Sequence, residues 1–332
     1  MRSLFSSLAG MTLIALMAGC QNPTSHGSST ASFAAATADP SASNWTAGGA
    51  LPLSGYWNSL AYGNGVFVAV GNTNGQNAAT STDGMTWTSR AMPSLNDANL
   101  PWQAITFGNG KFVALPGNSN DTNTISAVST DGVTWTTGTL PSASWKSVAY
   151  FNGQFVAASA PGGLANNAHL VTSTDGLTWT SVSLKAPSAG WLSVAGGNGL
   201  TVVAGNTEAT VNDGQSWSVK KSFPVTGKQT ALAFGNGTFV VLFDGVTTAA
   251  NSADADTWTS RTLPASLSGP GLTYGYHTFV AVSRSNNLTS SDGVTWTTQT
   301  LPTSTYGWSA VASGNNRFVA ISSFGSQTAV SQ

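Results

Sequence analysis

Twelve tryptophans fall into two recurring positions, and their spacing fixes what this chain can fold into. The first position sits in a Thr-Trp-Thr-like segment and recurs at Trp45, Trp87, Trp135, Trp179, Trp217, Trp258 and Trp296, with gaps of 38 to 48 residues. That period lies close to the ~40–50-residue range of β-propeller blades. The second position opens an apolar stretch at Trp57, Trp102, Trp145, Trp191 and Trp308, with Gln229 and Gly269 at the other two places. Both series have seven members.

One unit is legible between Trp57 and Pro93. Trp57 to Tyr62 reads as a strand, Gly63-Asn64-Gly65 as a tight turn, and Val66 to Val70 as a second strand rich in β-branched and aromatic residues. Ala79 to Thr82 makes a third strand, Asp83-Gly84 a turn needing positive φ, and Met85 to Thr88 opens a fourth. The first two strands are almost continuously apolar, which fits sheets covered on both faces, as when blades stack around an axis. The expected fold is all-β: a seven-bladed β-propeller over residues 43–332. The seventh unit stops after Thr328 to Ser331 without an outer strand, while an orphan outer strand, Ser43 to Thr46, stands at the other end. The last blade is therefore expected to close from both termini, pairing an otherwise free edge.

Before the repeats, Arg2 precedes an uncharged, mostly apolar run from Leu8 to Gly19, too short to cross a bilayer. It ends Leu16-Met17-Ala18-Gly19-Cys20, which resembles the lipobox of bacterial lipoproteins, and Cys20 is the only cysteine. The resemblance implies a signal peptide over 1–19, lipidation of Cys20 and attachment to a membrane of the bacterial envelope. Gln21 after the cysteine, where Asp would favour retention at the inner membrane, implies outer-membrane sorting. Residues 20–42, rich in Ser, Thr and Ala, read as a tether.

Composition removes several classes of function. Charged residues make up 7% of the chain, against about 25% in an average soluble domain, and the formal net charge is −1, so no basic face exists for nucleic acid. One cysteine and three scattered histidines (His26, His169, His277) supply neither a disulfide framework nor a His/Cys metal site. No metal and no cofactor are expected. Hydrophobic residues at 41% suffice for a large core.

The segments Asp83-Gly84-Met85-Thr86-Trp87, Asp131 to Trp135, Asp175 to Trp179 and Asp292 to Trp296 resemble the Asp-box, or bacterial neuraminidase repeat, of sialidase-like propellers. Copies at Asp213 and Asp254 are degenerate, and all have one residue fewer between Asp and Trp than the usual pattern. Six equivalent aspartates point to a structural role, since a catalytic group is needed once. A sialidase would also need three converging arginines, a Tyr nucleophile with a Glu partner and an Asp acid. Of Arg90, Arg261, Arg284 and Arg317, the order along the blades places only Arg284 suitably.

Outside the boxes, the remaining propeller acids are Asp97, Asp121, Glu208 and Asp244, all on loops of the face opposite the boxes. That face also receives the long loops Gly71 to Ala78, Pro116 to Ser126 and Ser159 to His169. A ligand there is expected to touch Trp57, Trp102, Trp145 and Trp191 together with Asn74, Asn120, Asp121 and Asn166. The other reading of these tryptophans is that they plug the channel mouth and pack between blades. Three functions compete: a non-enzymatic, monomeric cell-surface module binding a glycan or protein, a glycoside hydrolase using two of the four acids, and a structural surface protein.

Overall fold

The computed structural model describes residues 42–331 apart from 74–76, 96–99, 118–123, 162–168 and 185–189. Seven four-stranded antiparallel sheets follow one another along the chain. Blade one comprises Tyr56–Gly63, Val66–Asn72, Ala78–Ser81 and Thr88–Arg90. The inner strands of blades two to seven are Trp102–Gly108, Ser144–Phe151, Trp191–Gly197, Lys228–Gly235, Gly271–Gly275 and Trp308–Gly314. Each inner strand packs on the next, and the seventh on the first, so the ring is closed.

The continuous apolar run of the second strand has a direct cause. In blade one, Phe67 and Ala69 join a cluster with Val319, Ile321 and Val330 of blade seven. Val68 and Val70 point the other way, to Trp102, Ile105 and Phe112 of blade two. Successive side chains serve opposite neighbours, so both sides of the run from Phe67 to Val70 are taken by apolar residues.

Closure uses both ends of the chain. Trp45–Ala47 forms the outer strand of blade seven, with Trp45 opposite Ser331, Thr46 opposite Val330 and Ala47 opposite Ala329. The Trp45 ring leans on Phe318 at 6.5 Å, and its Nε1 donates to the Ala42 carbonyl at 2.7 Å. Thr328 Oγ1 donates to the Gly49 carbonyl at 2.6 Å, extending the joint past the strand.

At the box end of the ring, the turn asparagines tie blades together. Asn64, at φ 47°, donates through Nδ2 to the Gly110 and Thr130 carbonyls of blade two. Asn198 reaches Gly237 and Ala253 of blade five in the same way, and Asn315 reaches Thr82 of blade one. Beside these clips, a glycine at the end of one inner strand receives an aromatic ring from the next blade. A Cβ on Gly63 would stand 2.1 Å from Phe107, on Gly108 2.1 Å from Tyr150, and on Gly314 2.1 Å from Tyr62.

Candidate functional site

The boxes occupy the same end of the ring as these clips, and their bonds are local. Asp83 Oδ1 accepts from the backbone N–H of Met85 and Thr86, both at 2.8 Å, and from Ser81 Oγ at 2.9 Å. Asp131, Asp175, Asp254 and Asp292 repeat the pattern. Asp213 keeps the two backbone bonds, to Gln215 and Ser216. The Thr257 and then the Asp256 N–H hold the Asp254 carboxyl down to about 2, and the Thr134 and Val133 N–H likewise lower Asp131. These carboxylates organise turns.

The opposite face is where the inner strands begin, and there the tryptophan expectation needs correcting. Trp57, Trp102, Trp145 and Trp191 are 1%, 0%, 0% and 1% exposed, so none offers a ring face to a ligand. Trp57 Nε1 donates to the Leu53 carbonyl, Trp145 Nε1 to that of Pro141, and Trp191 Nε1 to Thr210 Oγ1. Their rings pack in the clusters between blades. The physical reason is that a large indole gains most from full burial, its one polar atom being satisfied by a nearby oxygen in Trp57, Trp145 and Trp191, while Trp102 Nε1 is buried without a partner and packing alone holds that ring. Asn74, Asn120, Asp121 and Asn166, like Cys20, lie outside the described residues.

The same face carries exposed aromatics at positions the sequence reading missed. Tyr56, one residue before the buried Trp57, is 61% exposed, and Tyr306, two before Trp308, is 50% exposed. Phe324 sits between them, its ring 4.8 Å from Tyr56 and 4.9 Å from Tyr306, the latter edge-on. The trio is held rigidly. Gly55 and Gly325 exchange two backbone hydrogen bonds, and Ser323 Oγ donates to the Tyr306 carbonyl. Around it stand uncharged groups: the Gln327 carboxamide, which accepts from Ser304 Oγ and Thr305 N, and Ser304 itself. Strand alternation was the available signal, because Tyr56 and Trp57 must point to opposite sides.

Along the axis runs a channel, a cavity of about 580 Å³ lined by inner strands of all seven blades. A bulge follows the first residues of most inner strands, as between Trp57 and Ser59, Trp102 and Ala104, and Trp145 and Ser147. The extra residues, Asn58, Gln103 and Lys146, line the cavity. Lys146 is the one charged side chain among the described lining residues. Burial, and then the charge of Lys228, lower its pKa. Backbone edges facing the channel are partly capped by side chains: Ser59 Oγ accepts from Ile105 N, and Ser147 Oγ from Val194 N. Of the described acids on this face, Asp244 Oδ1 accepts from Gly269 N at 2.8 Å. No group of three His, Cys, Asp or Glu that could hold a metal occurs among the described residues.

A closed ring of seven blades around an axial channel, with an aromatic trio on the face away from its boxes, defines a β-propeller. The chain belongs to the family of the DUF6242 beta propeller domain, whose model matches residues 94–262, about half of the chain. Solved structures extend the likeness of fold. YCF48 bound to D1 peptide is 14% identical, covering 89% of this chain and 98% of that one with a TM-score of 0.65. A streptogramin B lyase is 9% identical over 87% of this chain and 98% of its own, with a TM-score of 0.72. A catalytically inactive virginiamycin B lyase from Staphylococcus aureus with quinupristin is 8% identical over 87% and 99%, with a TM-score of 0.70. The comparison with curated proteins finds no match.

Proposed function

We propose that this propeller is a non-enzymatic, lipid-anchored binding module of the bacterial envelope that takes a glycan or protein ligand on the face opposite its boxes. The observation that carries this reading is the trio of exposed Tyr56 and Tyr306 with Phe324 between them, braced at the face where the inner strands begin. Monomeric proteins seldom spend large aromatic surface on water, and Tyr serves both sugar stacking and protein contacts because its ring is apolar and its hydroxyl polar. A similar fold that carries a bound peptide in YCF48 supports a protein ligand on this architecture. The lipobox-like run ending at Cys20 supports the anchor, with the outer membrane as the proposed address.

Parallel glycan and peptide arrays, each with an assay for breakdown of the bound compound, test this function. Binding with the compound recovered intact is the expected outcome. Turnover of the compound would replace the module by an enzyme. The anchor is tested separately by Cys20→Ser, which should abolish acylation.

A further inference from the structure

Between blades three and four, at the box end, the ring is not sealed as it is at four other joints. In four boxes the glycine abuts the preceding blade: a Cβ on Gly84, Gly132, Gly176 or Gly293 would stand 2.6 Å from Val319, Val68, Val113 or Val240. Gly214 of blade four has nothing within 4 Å. The sequence of that box explains why. The ladder place that Ser81 holds opposite Phe67 in blade one is held by Asn212 opposite Thr201, but Asn212 directly precedes its aspartate where Ser81 stands two residues before Asp83, so the turn is one residue shorter. Asn212 Oδ1 accepts from Gly214 N at 2.7 Å, and Trp217 pairs directly with Asn212 in the ladder. In blade one, by contrast, Trp87 precedes the outer strand. The blade-four turn is drawn onto its own strands and away from blade three. Asn152, the turn asparagine of blade three, accordingly bonds to Gly199 O at 3.0 Å, and among the described residues it has no second clip onto the box, unlike Asn64 or Asn198.

What remains is a crevice of about 520 Å³. Its wall carries the half-buried rings of Trp217 and Phe151 and the carboxamides of Asn152, Gln154, Asn212 and Gln215. It adjoins a second depression of about 230 Å³ that shares Gln154 and Thr172 and runs along the box of blade three. Among the described residues, the crevice lining holds no charged side chain. An ionic ligand would find no counter-charge there, and a wholly apolar one would strand the amides. Each amide offers two donors and an acceptor, which matches a sugar's hydroxyls, while the C–H face of a sugar ring suits an indole. A volume in the ordinary range for ligand sites accommodates more than one sugar ring.

We propose that this crevice is a subsite for a neutral oligosaccharide, with one sugar ring on Trp217 and hydroxyls on Gln154, Asn212 and Gln215. It is separate from the loop face and stands whether or not that face binds anything. The test is fluorine NMR of protein labelled with 5-fluorotryptophan, titrated in turn with cellohexaose, maltohexaose and chitohexaose at millimolar concentration. The Trp217 resonance, assigned through Trp217→Phe, should shift saturably with at least one of them. Gln215→Ala should weaken that binding by about tenfold, and Val133→Ala, at an exposed position in the box of blade two, should leave it unchanged. An unmoved Trp217 resonance with all three sugars, or an affinity indifferent to Gln215→Ala, would overturn the proposal.

Discussion

Phe151 of blade three stands directly over Gly196 of blade four: a Cβ on Gly196 would lie 2.1 Å from the Phe151 ring. Between blades one and two the roles are reversed, with Phe107 of blade two covering Gly63 of blade one. One interface has thus exchanged ring and glycine while keeping one ring and one glycine per joint. The volume at the joint is conserved, as dense packing requires.

This exchange predicts a rescue. Phe151→Gly removes a half-buried ring and should cost about 2–4 kcal/mol, and Gly196→Phe alone adds a second ring where none fits. The double variant restores the arrangement of Gly63 and Phe107 and should recover most of the loss in denaturant unfolding. A double variant no more stable than the sum of the singles would show the two positions to be uncoupled.

Neighbouring residues should respond in opposite ways. Trp57→Ala empties a fully buried site and should cost about 3–5 kcal/mol. Tyr56→Ala removes an exposed ring and should shift stability by less than about 1 kcal/mol. Thermal melts of the two variants decide whether the burial pattern at the inner-strand entrance is right.

The joint at blade seven gives a third expectation. Trp45→Ala should destabilise by about 2–3 kcal/mol, and deletion of residues 43–50 by more, because the outer strand opposite Thr328 to Ser331 is lost with it. A truncated chain that melts at the wild-type temperature would contradict closure by both termini.

The box aspartates set the acid limit. The folded pKa values of Asp83, Asp131, Asp175, Asp254 and Asp292 lie below the ordinary carboxylate value of 3.8, Asp254 at about 2, so each of these five contributes stability that is present above 3.8 and lost as pH falls toward the folded value. Unfolding should therefore become easier between pH 3.8 and about 2. Asp254→Asn should flatten that part of the profile, and an unaltered slope would mean the carboxylate is not held by its turn.

How far the sequence could be read follows from which interactions are local. The Asn64-Gly65 turn, the Asp83-Gly84 turn and the tryptophan spacing are properties of short segments, and the seven blades follow from them. The orphan strand at Trp45 could be matched to Thr328 to Ser331 by elimination. Burial of Trp57 and Trp102 was not decidable in that way. Which side of an inner strand faces the channel depends on the bulge after its first residues and on the neighbouring blade. Phe324 joins Tyr56 only through the Gly55 and Gly325 pairing, a contact between distant parts of the chain. The crevice beside Trp217 likewise goes with a box turn one residue shorter than the others, with Asn212 in the ladder place of a serine, and its effect is seen only against the adjacent blade.

The central claim is that the aromatic trio holds a ligand without transforming it. The most direct measurement is the affinity of an array-identified ligand for the wild type and for a folded Tyr56→Ala/Tyr306→Ala variant, with the ligand recovered and analysed afterwards. The account predicts a loss of about tenfold or more and an intact ligand. An unchanged affinity, or a ligand recovered as products, would contradict it.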